Sequence, residues 1–136
     1  MSITSFKGTF LSNMYESKTC QPTVEHQYQA SKTLDNKWKE RILQASSPYE
    51  AKKLGRMAPQ REDWNKIKLE IMIKLITIKF QDPDMQLRLK LTGNEELIEG
   101  NYWHDNYWGS CTCKKCGNKG ENNLGKILMK IRDNLR

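Results

Sequence analysis

The sequence predicts a mainly α fold of the α-rich α+β kind. We expect a single compact helical domain over residues 1–136, with five or six helices and a small β hairpin or sheet. Apolar residues recur at helical spacing over most of the chain after residue 22. Capping residues, prolines and glycines stand at the ends of these periodic stretches. The length suits one hydrophobic core, and no repeat or linker divides the chain.

The first 45 residues combine an irregular start with two short helices. Residues 1–22 are expected to form loop, with a short strand around Gly8–Leu11. Thr23 is placed to cap a helix that runs to about Leu34. A second helix is predicted over Trp38–Ala45, where apolar residues recur with i, i+4, i+7 spacing.

A capping box marks the start of the third predicted helix. Ser47 is placed to cap, Pro48 suits the first helical position, and Glu50 completes the box. The helix is expected to stop near Gly55, and Pro59 enforces a break in the chain.

The longest predicted helix runs from about Glu62 to Phe80 and supplies the spine of the core. Its apolar side chains form one stripe at helical spacing, which is typical of a helix packed on a core. The stripe consists of Trp64, Ile67, Ile71, Leu75 and Ile78, widened by Met72 and Ile76.

The C-terminal part contains two further helices separated by irregular chain. One helix begins at Pro83 and ends at Gly93. Glu96–Gly100 is predicted as a short strand, and Asn101–Asn122 as an ordered loop or hairpin. The final helix is predicted over Asn123–Leu135.

The charge of the chain indicates an anionic partner. Lysine and arginine total 23 against 16 acidic residues, a net charge of +7. Residues 32–74 hold eleven basic and six acidic side chains, so much of the excess lies there. Such an excess attracts phosphate groups on a nucleotide or a nucleic acid. A solvated, lysine-rich face is the alternative interpretation.

Composition also bounds the class of protein. No apolar run approaches the ~18 residues of a membrane span, and the first residues lack the apolar block of a signal peptide. The four cysteines are too few for a disulfide scaffold of this length. We therefore expect a cytoplasmic protein that makes no contact with a membrane.

The first candidate for chemistry is Glu25 in the segment Pro22–Gln29. It lies in the first turn of a predicted helix, where the positive end of the helix dipole favours an ionised carboxylate. A glutamate in a first turn also stabilises a helix without any further role, so spacing alone leaves both interpretations open.

The second candidate is the stretch from Arg56 to Trp64, which spans the predicted break between two helices. An arginine binds phosphate oxygens in a bidentate manner, and a tryptophan stacks on a base. The alternative is that Trp64 begins an apolar stripe while the basic side chains are solvated.

The third candidate is the aromatic loop Tyr102–Gly109. Four aromatic residues fall within seven positions beside Asp105, a density that core packing alone does not explain. Such rings form rigid apolar walls that exclude water from a small-molecule pocket. Asn123, at a helix start, is expected to offer an amide and free backbone donors for a hydroxyl or phosphate.

A cysteine cluster follows this loop. Cys111, Cys113 and Cys116 form a C-x-C-x-x-C pattern, and a structural zinc site needs four ligands. Cys20 or His104 would complete such a site. The alternative, which we favour at this point, is a metal-free, reduced loop with a knuckle-like turn.

Taken in order, these segments resemble the NADAR family, also called YbiA-like. The resemblance covers nearly the whole chain, although the segment between Asn13 and Pro22 is shorter than is usual in the family. The matching motifs are FLSNMY (Phe10–Tyr15), PTVEHQYQASKT (Pro22–Thr33), ASSPYEAKKLGR (Ala45–Arg56), REDW (Arg61–Trp64), DNYWG (Asp105–Gly109) and NNLGKILMKIR (Asn122–Arg132).

The resemblance implies a YbiA-like helical enzyme that hydrolyses a ribosyl–base N-glycosidic bond without a metal or organic cofactor. Family members are similar in cleaving such bonds. Some act on phosphoribosylamino-pyrimidine intermediates of riboflavin synthesis, and others remove ADP-ribose from guanine in nucleic acid. We expect the second substrate class, with the first as the alternative.

The resemblance also assigns roles to residues at the matching positions. Glu25 and Asp105 are expected to be catalytic, because carboxylates stabilise the positive charge that develops on the sugar. The remaining matches are expected to bind the substrate. Trp64, Tyr107 and Trp108 would stack on base or ribose, Lys32, Arg56 and Asn123 would hold oxygens, and Gly109 closes the DNYWG motif.

A non-catalytic module for ADP-ribose or single-stranded nucleic acid is the alternative from another class. Basic charge with interleaved aromatic residues is also typical of such binders. A binding module would take up ligand without releasing a base, and its affinity would fall steeply with salt. The oligomeric state is not indicated by the sequence.

Overall fold

A computed structural model describes all of residues 1–136 and contains six helices and four two-residue strands. The predicted α-rich α+β fold class is confirmed. The helices are α1 (Val24–Ser31), α2 (Asn36–Leu43), α3 (Pro48–Met57), α4 (Trp64–Lys79), α5 (Pro83–Lys90) and α6 (Asn123–Asn134). The strands are β1 (Ser2–Ile3), β2 (Glu96–Leu97), β3 (Gly100–Asn101) and β4 (Ser110–Cys111).

The chain forms two compact units. Residues 13–82 make up the first, here called the helical unit, which contains α1 to α4. Residues 1–12 and 83–136 make up the second, here called the mixed unit, which contains the four strands, α5 and α6. That the whole chain acts as one domain stays a prediction.

Side-chain caps set the starts of α1 and α2. The Thr23 hydroxyl accepts a hydrogen bond from the backbone N–H of His26 at 3.1 Å, as predicted. Asp35 caps α2 by accepting from the N–H groups of Lys37 and Trp38. The second helix therefore begins at Asn36, two residues before the predicted start.

The third helix begins as predicted but ends later. The Ser47 hydroxyl accepts from the N–H of Glu50 at 3.1 Å, and Pro48 occupies the first turn. The Glu50 carboxylate bonds to the hydroxyl and N–H of Ser46, one residue before the cap. The helix ends at Met57, two residues after the glycine near which the stop was expected, and Gly55 is buried inside α3 and does not cap it.

The core of the helical unit lies where α1 packs against α2, α3 and α4. One cluster joins Ala30, Ile42 and Ala51, one residue from each of the first three helices. From α4 the buried side chains are Trp64, Met72, Leu75, Ile76 and Lys79. The predicted apolar stripe of this helix thus faces the interior in part, with Ile67, Ile71 and Ile78 partly buried.

The mixed unit is built on two parallel strand pairs. Strand β1 pairs with β2, which places Ile3 opposite Leu97, and β3 pairs with β4. The predicted strand around Gly8–Leu11 is wrong, since that segment forms turns. The hairpin alternative for Asn101–Asn122 is also wrong, because β3 and β4 run parallel. Helix α6 packs on β2.

None of the six helices combines the length and the apolar character that crossing a bilayer requires.

Candidate active site

Glu25 lies buried in the first turn of α1, with 7% of its surface exposed. Its backbone N–H donates to the carbonyl of Asn13 at 3.0 Å. Its carboxylate Oε1 accepts from Nε2 of Gln29 at 3.3 Å. Burial raises the pKa of the Glu25 carboxyl, and the bond from Gln29 and the charges of Lys52 and Lys32 oppose that rise. The carboxyl can therefore exchange a proton closer to neutral pH than an exposed glutamate.

The neighbouring histidine belongs to the scaffold. Nε2 of His26 lies 3.0 Å from the carbonyl oxygen of Ala45, and that oxygen can only accept. Nε2 therefore carries the hydrogen, and Nδ1 accepts from the Thr23 hydroxyl at 2.9 Å. Because both ring nitrogens are engaged, His26 fixes the start of α1 in place.

Lys32, which lies beside this carboxylate, is one of a cluster of four cations. Burial lowers the pKa of the Lys32 ammonium, and the charge of Glu25 opposes that effect. The nearby charges of Arg56, Lys52 and Lys68 lower the same pKa further. One carboxylate cannot balance four positive groups, so the cluster favours an additional anion such as phosphate.

Sequence reasoning missed Lys52 and Gln29 in this cluster. Both lie one helical turn from a predicted site residue: Gln29 follows Glu25 by four positions, and Lys52 precedes Arg56 by four. Residues four apart share a helix face, so this spacing is the signal that would have found them.

A glycine allows α3 to approach α1 at the site. A Cβ on Gly55 would lie 2.0 Å from Oε1 of Gln29 and 2.8 Å from its Cδ, well inside van der Waals contact. The Gln29 oxygen is buried there and has no hydrogen-bond partner within the protein. Gly55 thus makes room for Gln29, whose amide holds Glu25.

Trp64 lies in the core of the helical unit. Its ring packs on Tyr28 with a centroid distance of 5.1 Å and a tilt of 56°, and 4% of its surface is exposed. This burial agrees with the alternative interpretation, in which Trp64 begins the apolar stripe. Its stacking on a substrate stays a prediction.

Asp105 organises the aromatic loop of the mixed unit. Its Oδ1 accepts from the N–H groups of Tyr107 at 3.2 Å and Trp108 at 3.0 Å. The Asn101 side chain holds the backbone of Asp105 on both sides, accepting from its N–H and donating to its carbonyl. One carboxylate oxygen therefore shapes the loop, and the bonds of the structure leave Oδ2 available to a ligand.

The two aromatic residues after Asp105 form an edge-to-face pair. The rings of Tyr107 and Trp108 are 4.7 Å apart at 85° and are partly buried. Burial raises the pKa of the Tyr107 hydroxyl, and the charge of Glu121 adds to the rise. A Cβ on Gly109 would lie 2.1 Å from the carbonyl oxygen of Glu99, so close backbone packing requires this glycine.

The start of α6 is capped by the aromatic loop. The N–H groups of Asn122, Asn123 and Leu124 donate to the carbonyls of residues 109, 107 and 108, respectively. Nδ2 of Asn123 also donates to the Tyr107 carbonyl at 2.9 Å. The expectation that these backbone donors are free is therefore wrong, because loop carbonyls satisfy them.

Asn122 is a structural residue that the sequence did not indicate. Its side chain accepts from the N–H of Glu99 at 2.9 Å and donates to the carbonyl of Leu97 at 2.9 Å. The residue adopts a left-handed conformation with φ of 52°, which asparagine tolerates better than most residues. Asn122 thus clamps the start of α6 to the strand segment.

The predicted site residues are divided between the two units. Glu25, Lys32, Arg56 and Trp64 belong to the helical unit, and Asp105, Tyr107, Trp108, Gly109 and Asn123 belong to the mixed unit. The geometry within each group is described above. Their joint action on one sugar stays a prediction.

Comparison with known proteins places the chain in a family. Residues 3–136 match the profile of the NADAR domain. The chain is 39% identical over 118 residues to N-glycosidase YbiA of Shigella flexneri, covering 84% of this chain and 70% of the relative. It is 36% identical over 135 residues to a riboflavin biosynthesis protein of Vibrio vulnificus, covering 93% of this chain and 35% of that longer protein.

A solved structure is similar over almost the full length. The NMR structure of the E. coli protein YbiA matches with a TM-score of 0.79 at 34% identity, covering 99% of this chain and 83% of that one. Fold, profile and sequence identity agree, and the chain belongs to the NADAR family.

Proposed function

We propose that this protein is a hydrolase that cleaves the N-glycosidic bond between a ribosyl group and a base. The observation that carries the proposal is the buried Glu25 carboxylate, which lies near the charges of Lys32 and Lys52 and accepts a hydrogen bond from Gln29. The relatives named N-glycosidase YbiA, at 38–39% identity, support the same reaction class.

Glu25 suits the charge changes of this reaction. Breaking the bond between the anomeric carbon and the base nitrogen leaves positive charge on the ribose, and a nearby carboxylate stabilises that charge. Water then supplies the hydroxyl on the sugar, and its proton passes to the carboxylate or the departing base. A carboxyl with a raised pKa can accept and return that proton.

The cations beside Glu25 suit a substrate that carries phosphate. Lys32, Lys52 and Arg56 would neutralise phosphate oxygens, and the guanidinium offers two parallel hydrogen bonds. These positive side chains repel one another, and a bound anion reduces that repulsion. The same clustering of charge therefore favours the binding of phosphate.

The preferred substrate within this class is ADP-ribose attached to guanine, in nucleic acid or as a related glycoside. Its diphosphate would engage several of the cations around Lys32. A phosphoribosylamino-pyrimidine intermediate of riboflavin synthesis is the second candidate. The Vibrio vulnificus relative, named a riboflavin biosynthesis protein, favours that alternative.

Asp105 and the aromatic pair have a supporting role in the proposal. Asp105 orients the sugar or the base through Oδ2, while Oδ1 holds the loop. Tyr107 and Trp108 stack on the base or ribose, and Asn123 contributes its side-chain oxygen, since its Nδ2 is engaged by the loop.

A chromatographic assay tests the proposal. Purified protein is incubated with each candidate substrate, and released base is measured. Glu25→Gln should reduce turnover at least ~100-fold, because general acid–base help is usually worth that much or more. The matched control is Glu62→Gln, an exposed carboxylate in the same unit, which should turn over normally.

Two outcomes contradict the proposal. Near-normal turnover in Glu25→Gln would remove Glu25 from the reaction. Binding of both ligands without any released base would favour the non-catalytic module, and its affinity would then fall steeply with salt.

A further inference from the structure

A second chemical cluster lies in the mixed unit and takes no part in the proposed reaction. His104, Cys111, Cys113 and Cys116 each offer one ligand atom, and these four atoms lie within 4.8 Å of one another. We propose that this cluster binds one zinc ion through three thiolates and Nδ1 of His104. The ion is structural, because four protein ligands close its coordination shell.

The distances from the imidazole match those of a tetrahedral site. Nδ1 of His104 lies 3.5 Å from Sγ of Cys111, 3.6 Å from Sγ of Cys113 and 3.4 Å from Sγ of Cys116. In a tetrahedron with Zn–S of ~2.3 Å and Zn–N of ~2.05 Å, the N···S edge is about 3.55 Å.

Hydrogen bonding alone does not account for this arrangement. A neutral imidazole has a single N–H, which can point well at only one acceptor. Three sulfur atoms at nearly equal distance from one ring nitrogen are what a central ion requires. The four atoms are therefore arranged as ligands around a metal ion, and a single N–H···S hydrogen bond does not explain their positions.

The backbone around the cysteines supports the ligand positions. The N–H of Cys116 donates to Sγ of Cys113 at 3.4 Å, and such bonds to sulfur stabilise a thiolate. The N–H of Gly117 donates to the Cys113 carbonyl at 2.8 Å and closes a tight turn. Gly117 and Asn118 have φ of 62° and 59°, so a glycine and an asparagine stand where the turn needs left-handed backbone.

His104 reaches the cluster from the segment that follows β3. Strand β3 ends at Asn101, opposite Cys111 of β4, so the chain that leaves β3 lies beside the cysteines. His104 itself has φ of 67°, a left-handed conformation that histidine adopts more readily than most side chains. This strained placement brings the ring to the three sulfur atoms.

The chemistry of the donors selects zinc. Three sulfurs and one imidazole nitrogen form a soft tetrahedral set, which suits zinc and disfavours calcium or magnesium. Binding removes one proton from each cysteine and leaves the site with a net charge of −1. Lys114 and Lys115, which lie between Cys113 and Cys116 in the sequence, compensate that charge.

The ion would order the loop that carries Asp105. Oδ1 of Asn106 accepts from the N–H of Cys111 at 2.8 Å, which ties the residue after Asp105 to a ligand. His104 precedes Asp105 directly. Any effect of this ordering on activity rests on the proposed function, in which Asp105 orients the substrate. The zinc site itself does not rest on that proposal.

Metal analysis and cobalt substitution test the site. Protein purified under reducing conditions without chelator should contain one zinc per chain. After replacement of zinc by Co²⁺, the protein should show the intense d–d bands of a tetrahedral ion with a sulfur-to-cobalt charge-transfer band. Neither readout depends on enzymatic activity, so a failed glycosidase assay would leave this result unaffected.

Two variants and one control identify the ligands. Cys113→Ser and His104→Asn should each weaken Co²⁺ affinity at least ~100-fold, since even outer-shell changes cost 10–100-fold. Asparagine tolerates the left-handed backbone at position 104, so this variant removes the ligand without adding strain. Cys20→Ser, which changes the one cysteine of the helical unit, should keep a full equivalent of zinc.

Less than half an equivalent of zinc, together with no tetrahedral cobalt spectrum, would overturn the proposal. A loss of two mass units that marks a disulfide within the cluster under these reducing conditions would also overturn it. Unchanged cobalt affinity in folded Cys113→Ser or His104→Asn would do the same. Cobalt titration of the unaltered protein decides the matter even if a variant does not fold.

Discussion

Gly55→Ala is the substitution that tests the packing behind Glu25 most directly. The new Cβ would lie 2.0 Å from Oε1, 2.8 Å from Cδ and 3.0 Å from Cβ of Gln29. The amide end of Gln29 can rotate away, but its Cβ belongs to α1 and cannot. Rotation breaks the 3.3 Å bond to Glu25, so one methyl group acts on both stability and catalysis.

The magnitude follows from three opposing contributions. Alanine in place of a helix-interior glycine favours the helix by about 1 kcal/mol. Overpacking costs ~1–3 kcal/mol, and the lost bond to an ionised group costs ~1.5 kcal/mol at its lower limit, which suits its length. The free energy of unfolding should therefore fall by about 2 kcal/mol, which lowers Tm by roughly 5–8 °C in a chain of this size.

Thermal unfolding and turnover are measured on the same preparations. We expect turnover to fall roughly 10- to 100-fold, because small displacements of a catalytic group cost that much. The double variant Gly55→Ala/Gln29→Ala should regain part of the lost Tm, since the crowding amide is gone. Its turnover should stay low, because nothing replaces the bond to Glu25.

A Gly55→Ala protein with raised Tm and normal turnover would refute this reasoning. Helix propensity alone predicts that rise, so the sign of the Tm change separates propensity from crowding. The exposed Lys53→Ala in the same helix controls for general effects on α3 and should change Tm little.

The other predictions concern the charges of the two residue groups. Because the folded-state pKa of Glu25 is raised, the folded protein loses stability as pH rises from ~4.3 through that pKa; Glu25→Gln should have the higher Tm at pH 7 and lose this advantage near pH 4 in thermal scans. Asp105→Asn keeps an acceptor for both loop N–H groups, so it should retain the wild-type Tm while turnover falls at least ~100-fold; Asp105→Ala should lower Tm as well. Lys32→Gln should raise KM for a phosphorylated substrate ~10- to 100-fold, as expected for a lost bond to a charged group. For the dephosphorylated analogue, the wild type and Lys32→Gln should have the same KM; a different KM would contradict a contact between Lys32 and the phosphate.

Local signals in the sequence predicted the helices well. Thr23 and Ser47 cap their helices through side-chain bonds that span three residues, so the sequence contains the whole interaction. Gly55 misled because glycine is typical of helix ends, whereas here it meets Gln29 of another helix. Contacts between distant segments decide such positions, and a local pattern does not contain them.

The strands were harder to predict for the same reason. Ile3 pairs with Leu97 across most of the chain length, and strands of two residues are too short to show alternation. A short strand was predicted around Gly8–Leu11, but backbone hydrogen bonds, such as the one from the N–H of Thr9 to the carbonyl of Phe6, fold this segment into turns.

The site residues were predictable where a motif or a helix face marked them. Glu25 and Lys32 are seven residues apart, which places them on the same side of the first predicted helix, and family motifs indicated Asp105. Lys52 was missed because its spacing of four residues from an arginine also occurs elsewhere in this lysine-rich stretch, and only the packing of α3 on α1 sets Lys52 apart. Asn122 was missed because its role depends on two strand-segment backbone groups far away in sequence.

The crowding of Lys32, Lys52 and Arg56 has a practical consequence for the bench. Inorganic phosphate or pyrophosphate in a buffer should bind to these side chains, raise the Tm of the protein and compete with the substrate. Turnover measured in phosphate buffer would then be lower than the true value. Kinetic measurements should therefore use an amine or zwitterionic buffer without phosphate and with little salt. The same affinity gives a simple handle, since the protein should be retained on a phosphocellulose column and eluted by phosphate.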